Sequence, residues 1–159
     1  MRLGEALARR SDVQKRLAQL GDRLRASAVV QEGSAPPEDP DDLLTELDAL
    51  VTEERELVVA INLTNAATRL PGGETVTEAL AARDALEHEQ AALRAAVEAT
   101  AQQQARYSRS EIRVVRQVDV AALRRRIDDL ARRRRELDTA IQEQNWTTDL
   151  IDTPGAASR

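Results

Sequence analysis

The sequence predicts an all-α fold of four long helices, arranged as two tandem antiparallel hairpins that are copies of one another. Three observations predict it. Of 159 residues, 27 are Ala and 19 are Leu, whereas Trp and Tyr occur once each and Phe is absent. With 32% charged residues, that mixture is the usage of long helices and coiled coils, not of sandwiches or barrels. Apolar residues recur at helical spacing through four separate stretches. Finally, the chain aligns with itself at two offsets.

The first helix is expected from about Arg2 to Ala26, with Leu3, Leu7, Val13, Leu17, Leu20 and Leu24 on one stripe. SAVVQEGSAPPEDPDD ends it, because Gly33, Pro36, Pro37 and Pro40 prevent continuation. The second runs from about Asp41 to Ala67, its acidic start facing the positive end of its own dipole. Leu43, Leu47, Leu50, Glu54, Leu57 and Ile61 follow at alternating steps of four and three, as coiled-coil packing requires. Pro71-Gly72-Gly73 then reverses the chain. Thr75-Val76-Thr77-Glu78 reads as a capping box that opens the third helix. That helix extends to about Gln104, with Leu80, Leu86, Leu93 and Val97 as its large apolar residues. Ile112, Val114, Val115 and Val118 are β-branched and predict a short extended segment at the hairpin tip. The fourth helix starts near Asp119, carries Val120, Leu123, Ile127, Leu130, Arg134, Leu137 and Ile141, and fades after Asn145-Trp146.

Shifting the chain by about 80 residues lays the second helix on the fourth. Leu43, Asp48 and Leu50 meet Leu123, Asp128 and Leu130; Arg55-Glu56-Leu57 meets Arg135-Glu136-Leu137; Asn65 and Thr68 meet Asn145 and Thr148. A shift of about 73 lays Glu5-Ala6-Leu7-Ala8 on Glu78-Ala79-Leu80-Ala81 and Leu20 on Leu93. Neither offset is a multiple of seven, so heptad coincidence does not produce them. Residues 1–151 are therefore expected to form a single domain related by a pseudo-two-fold axis, with hairpins over 1–70 and 75–151 and a disordered tail at 152–159. Its thin, Ala-rich seams predict a homo-oligomer, because association covers apolar surface that a small core leaves exposed.

The formal net charge of −5 conceals two opposed segments. Residues 38–56 hold nine acids and one Arg, and residues 113–135 hold nine Arg and three Asp. Glu54 interrupts the second stripe where Arg134 interrupts the fourth, flanked by Glu53 and Arg133. Opposite charges at equivalent positions could meet across the pseudo-axis and fix register at a cost in desolvation. The alternative is that local twist turns both to solvent.

Chemistry-bearing residues are few. There is no Cys, and the single histidine, His88, has Ala85 three residues before it, so the Glu-x-x-His pattern of two-metal bundles fails. Ser108 and Ser110 have no spaced base, and Pro71-Gly72-Gly73 lacks the Lys of a phosphate loop. No catalytic residue, cofactor or metal is expected. Arg124-Arg125-Arg126 and Arg132 to Arg135 wrap the helix and are interrupted by Asp128 and Asp129, so salt bridges are expected of them and nucleic acid is not. Asn65 and Asn145, with Thr68 and Thr148, read as polar groups terminating each second helix. Trp146 is expected to cover the bundle end or a subunit contact.

Several blocks in order, LGEALARRSDVQKRLAQL, VVQEGSAPPEDPDDLL, INLTNAATRL, SRSEIRVVRQVDVAAL and ELDTAIQEQNWTTDL, resemble the septicolysin-like family of small bacterial proteins. The resemblance implies a member of largely unknown function with a cytolysin's name, and it brings no site residues. With 22 Arg to one Lys, a GC-rich genome is expected. MRLGEALARRSD lacks a signal peptide's apolar middle, and no apolar run approaches a membrane span. The expected role is that of a non-enzymatic, cytoplasmic, self-associating protein that mediates protein–protein contacts. The alternatives are a membrane-active protein, for which 112–118 is the candidate element, and a nucleic-acid-associated protein using the fourth-helix arginines.

Overall fold

The computed structural model describes residues 1–106, 115 and 117–152. Among them are four helices: α1 (Leu3–Ser27), α2 (Pro40–Ala67), α3 (Val76–Arg106) and α4 (Val120–Thr147). The described residues hold no strand, only two isolated bridges. The fold is thus all-α, with each helix within about two residues of its expected bounds, the scatter normal at fraying ends. Ile112, Val114 and the tail from 153 lie outside the described residues; Val115 and Val118 are exposed.

The chain divides into two compact units, Met1–Thr68 with the chain from Gln144 onward, and Arg69–Glu143. In the first, α1 and α2 pack along a seam of Leu3, Ala6, Val13 and Leu20 against Leu43, Leu50, Leu57 and Ile61, all buried. The steps of seven at Leu43, Leu50 and Leu57 keep one face of α2 toward its neighbour. Leu7, Leu17, Leu24, Leu47 and Leu150 flank the seam, partly buried. Asp39 caps α2, its Oδ1 accepting from Asp41 N at 2.9 Å, and Pro40 follows at the first helical position, where its missing N–H costs nothing.

In the second unit, Leu70, Val76, Ala79 and Ile141 are buried together, with Leu80, Leu137 and Ala140 against them. Gln90 is buried and donates from Nε2 to Ile127 O at 3.2 Å, joining α3 to α4 by a polar contact inside the seam. The capping box forms as its residues predict: Thr75 N donates to Glu78 Oε2 at 2.7 Å, and Glu78 N donates to Thr75 Oγ1 at 3.2 Å. The reversal before it closes with Gly73 N donating to Leu70 O at 2.9 Å. Gly73 has φ +96°, a conformation that favours a residue without Cβ.

The duplication recurs at the level of single bonds. Leu70 N donates to Glu74 O at 2.8 Å, and their repeat equivalents, Leu150 N and Met1 O, are bonded at 2.9 Å. The bridge between Arg69 and Thr75 has its counterpart in the bridge between Asp149 and Arg2. Arg2 N donates to Glu5 Oε2 at 2.7 Å, as Thr75 N does to Glu78. Asp119 caps α4 through Ala122 N at 3.0 Å, as Asp39 caps α2. A hairpin turn brings the partners together in one copy; in the other they come from opposite ends of the sequence.

Candidate functional site

The charged residues singled out by the repeat all lie beside helix–helix seams. In the first unit Glu53 accepts from Arg9 Nε at 2.5 Å, and Glu54 accepts from Gln14 Nε2 at 2.9 Å. Arg16 approaches Glu46 at 3.5 Å, and Arg23 holds both Glu38 and Glu46. The acidic face of α2 is thereby answered by α1. In the second unit Arg134 Nη1 lies 3.8 Å from Glu87, Arg83 lies 3.7 Å from Asp138, and Arg126 pairs with Glu89. Arg132 pairs with Asp129 and Glu136 on its own helix. On the basic α4, Arg126 and Arg134 are thus answered by α3, and Arg132 by α4 itself.

These pairs are solvent-exposed, and their electrostatic marks are correspondingly local. The hydrogen bond from Arg23 holds the Glu38 carboxyl below the usual carboxylate range, and Arg23 itself is raised by Glu38 and Glu46. Glu78 is held low by the backbone N–H of Thr75 and then by its hydroxyl. Asp129 raises Arg132.

Among the described residues, each unit carries an open groove. The first, of about 560 Å³, lies along α1 between Met1, Arg9, Asp12, Arg16, Glu53 and Trp146. Trp146 is 59% exposed, and its indole lies over buried Gly4, where a Cβ would come within 3.0 Å of the ring. The second, of about 600 Å³, has a floor of Ala82, Ala85, Leu86 and Ala140 and a rim that includes Glu89 and Arg133. His88 is exposed, and no group of three or more His, Asp or Glu side chains suited to a metal stands together among the described residues. Asn145 is buried and Asn65 half-buried, with its Oδ1 unbonded among the described residues. The helix-terminal bonds come from the main chain, Thr68 N to Thr64 O at 2.9 Å and Thr148 N to Gln144 O at 3.0 Å. Thr64 Oγ1 additionally accepts from Ile151 N at 2.9 Å.

One surface escaped the sequence reading. Leu44, Val51, Val59 and Leu63 on α2 are 45%, 50%, 44% and 47% exposed. The signal was present as a second apolar stripe beginning one residue after Leu43, but the stronger heptad stripe beside it drew the assignment. No helix among the described residues is long and apolar enough to cross a membrane.

No curated protein matches the chain. A crystal structure described as that of a functionally unknown conserved protein from Corynebacterium diphtheriae is similar, at 41% identity and a TM-score of 0.88, covering 95% of this chain and 99% of that one. Neither that likeness nor the family match supports the septicolysin-like name. Residues 10–150 match the model of a family described as "Family of unknown function (DUF6847)", and the chain belongs to that family.

Proposed function

We propose that this protein is a non-enzymatic, self-associating helical module of the cytoplasm whose work is protein–protein contact. The observation that carries this reading is the set of large apolar side chains left in solvent on α2, together with Trp146. Exposed apolar residues grouped on one element mark interaction surfaces, and Trp is a frequent energetic anchor of them. The charges lend less to a charged ligand, since most carboxylates facing a seam already hold a guanidinium. Glu53, Glu54, Arg133 and Arg134 serve hairpin register in this reading, Asn65 and Asn145 serve the helix ends, and Trp146 serves contact. Sedimentation equilibrium across the micromolar range tests it: a mass above that of one chain is expected, and a strict monomer overturns it.

The nucleic-acid alternative has one supporting feature, the fourth-helix arginines Arg124, Arg125, Arg133 and Arg135, for which no carboxylate partner occurs among the described residues. Retention on heparin that falls steeply with salt would favour it. The cytolysin-like alternative rests on the family resemblance alone, and leakage from liposomes would be its sign.

A further inference from the structure

The internal duplication supplies a control for the exposed stripe of α2. Leu44, Val51, Val59 and Leu63 correspond, at the repeat offset, to Arg124, Ala131, Thr139 and Glu143 of α4. One copy of the helix thus presents polar or small residues where the other presents four large apolar ones. The core stripes of the two copies retain Leu50 and Leu130, Leu57 and Leu137, Ile61 and Ile141. The inner stripes keep large aliphatic residues in both copies while only α2 carries them on its outer face, so a requirement of the fold does not explain that second stripe.

Both copies keep an Asp and an Arg between those positions, Asp48 and Arg55 in α2 and Asp128 and Arg135 in α4, but only α2 sets them among large apolar side chains. Asp48 and Arg55 stand in the same stripe: at about 100° per residue, Leu44, Asp48, Val51, Arg55 and Val59 fall within an arc of about 80°. Both are exposed, and neither makes an ion pair or side-chain hydrogen bond among the described residues, whereas Glu46, Glu53 and Glu54 on the same helix are all engaged. Two copies of α2 laid antiparallel, with the two-fold axis between Val51 and Thr52, bring these features into mutual register. Leu44 then faces Val59 of the second copy, Asp48 faces Arg55, Val51 faces Thr52, and each contact occurs twice. A contact that repeats itself under a two-fold is closed, which limits assembly through it to a dimer.

We infer that the outer face of α2 is an isologous interface for a second copy of this chain, seated antiparallel through Leu44, Val51 and Val59 and registered by reciprocal Asp48–Arg55 pairs. The inference rests on the self-association proposed above and gives it a surface and a geometry.

Sedimentation equilibrium of the full chain, with helicity checked by circular dichroism, is the test. The unaltered chain is expected to be a dimer, and Val51→Lys a folded monomer, while Ala131→Lys at the equivalent position of α4 remains dimeric. Asp48→Arg alone and Arg55→Asp alone each place like charges opposite one another, and the dissociation constant is expected to rise about a hundredfold or more. The double variant reverses both charges and restores binding to within about tenfold. Because the chain has no Cys, Val51→Cys gives a further readout: oxidation should join two copies near the axis. A monomeric wild type overturns both the self-association and this interface. A dimer indifferent to Val51→Lys and Asp48→Arg overturns the interface and leaves self-association standing. A dimer broken by either single charge reversal but not restored by the double variant overturns the antiparallel register.

Discussion

Gly4 lies beneath Trp146 beside the exposed groove of the first unit. A Cβ at Gly4 would meet Trp146 Cδ2 and Cε3 at 3.0 Å, yet the indole is mostly in solvent and free to tilt. Alanine also gains about 1 kcal/mol of helix propensity over glycine. Gly4→Ala is therefore expected to leave stability within about 1 kcal/mol of the original while shifting the emission of the only Trp to the red. An unmoved fluorescence spectrum would show that the ring does not rest there. Two carboxyls give a second prediction at this scale. Glu38 and Glu78 are held below their ordinary range by Arg23 and by the Thr75 N–H, so the folded state favours their ionised forms. Their contribution is complete above the ordinary Glu value and is lost as pH falls from there through the lowered folded values. Urea midpoints should decline over that acidic window, and Arg23→Ala should make the decline shallower by returning Glu38 to its ordinary behaviour.

At the scale of the helix, α2 has two apolar faces that differ in what they touch. Leu50 is buried in the seam with α1, and Leu44 stands in solvent on the outer face. Leu50→Ala is expected to cost about 2–5 kcal/mol in urea unfolding, the range for a buried leucine whose cavity closes incompletely. Leu44→Ala should cost less than about 0.5 kcal/mol of chain stability, as surface substitutions do, and show itself in association instead. The helix starts offer a paired comparison. Asp39 and Asp119 make equivalent caps in the two repeats, so Asp39→Ala and Asp119→Ala should each cost about 1 kcal/mol. Asp39 is followed by Pro40, which already sets the first helical φ, so its loss should be the milder of the two.

For the whole molecule, the repeat implies that a turn and a pair of termini are interchangeable. Leu70 and Glu74 are joined through Pro71-Gly72-Gly73, and Leu150 and Met1 make the same hydrogen bond without a covalent link. Joining Leu150 to Met1 by Pro-Gly-Gly and opening the chain at the exposed tip near Gly33 should give a permutant that folds. It loses the hydrogen bond from Ile151 N to Thr64 Oγ1, worth about 1 kcal/mol. Retained ellipticity with a cooperative melt is expected; a non-cooperative melt would refute the equivalence of the two ends. Joins between neighbouring backbone segments and openings at exposed loop tips are where such rearrangements succeed.

The local features were legible in the sequence because each depends on residues within a turn or two of one another. The capping box at Thr75, the reversal at Pro71-Gly72-Gly73, the Asp-led helix starts and the heptad stripe of α2 are of this kind, and the duplication followed from comparing such stretches. The partners of Glu53 and Glu54 were not legible: Arg9 and Gln14 lie about 40 residues away, and only the register of α1 on α2 selects them. The same holds for the pairing of Met1 with Leu150 and for the bare outer face of α2. A stripe of apolar residues states that a helix has something to bury, and two stripes state it twice. Which of them meets a neighbour within the chain is decided by the packing of α1, since one helix covers only one side of another.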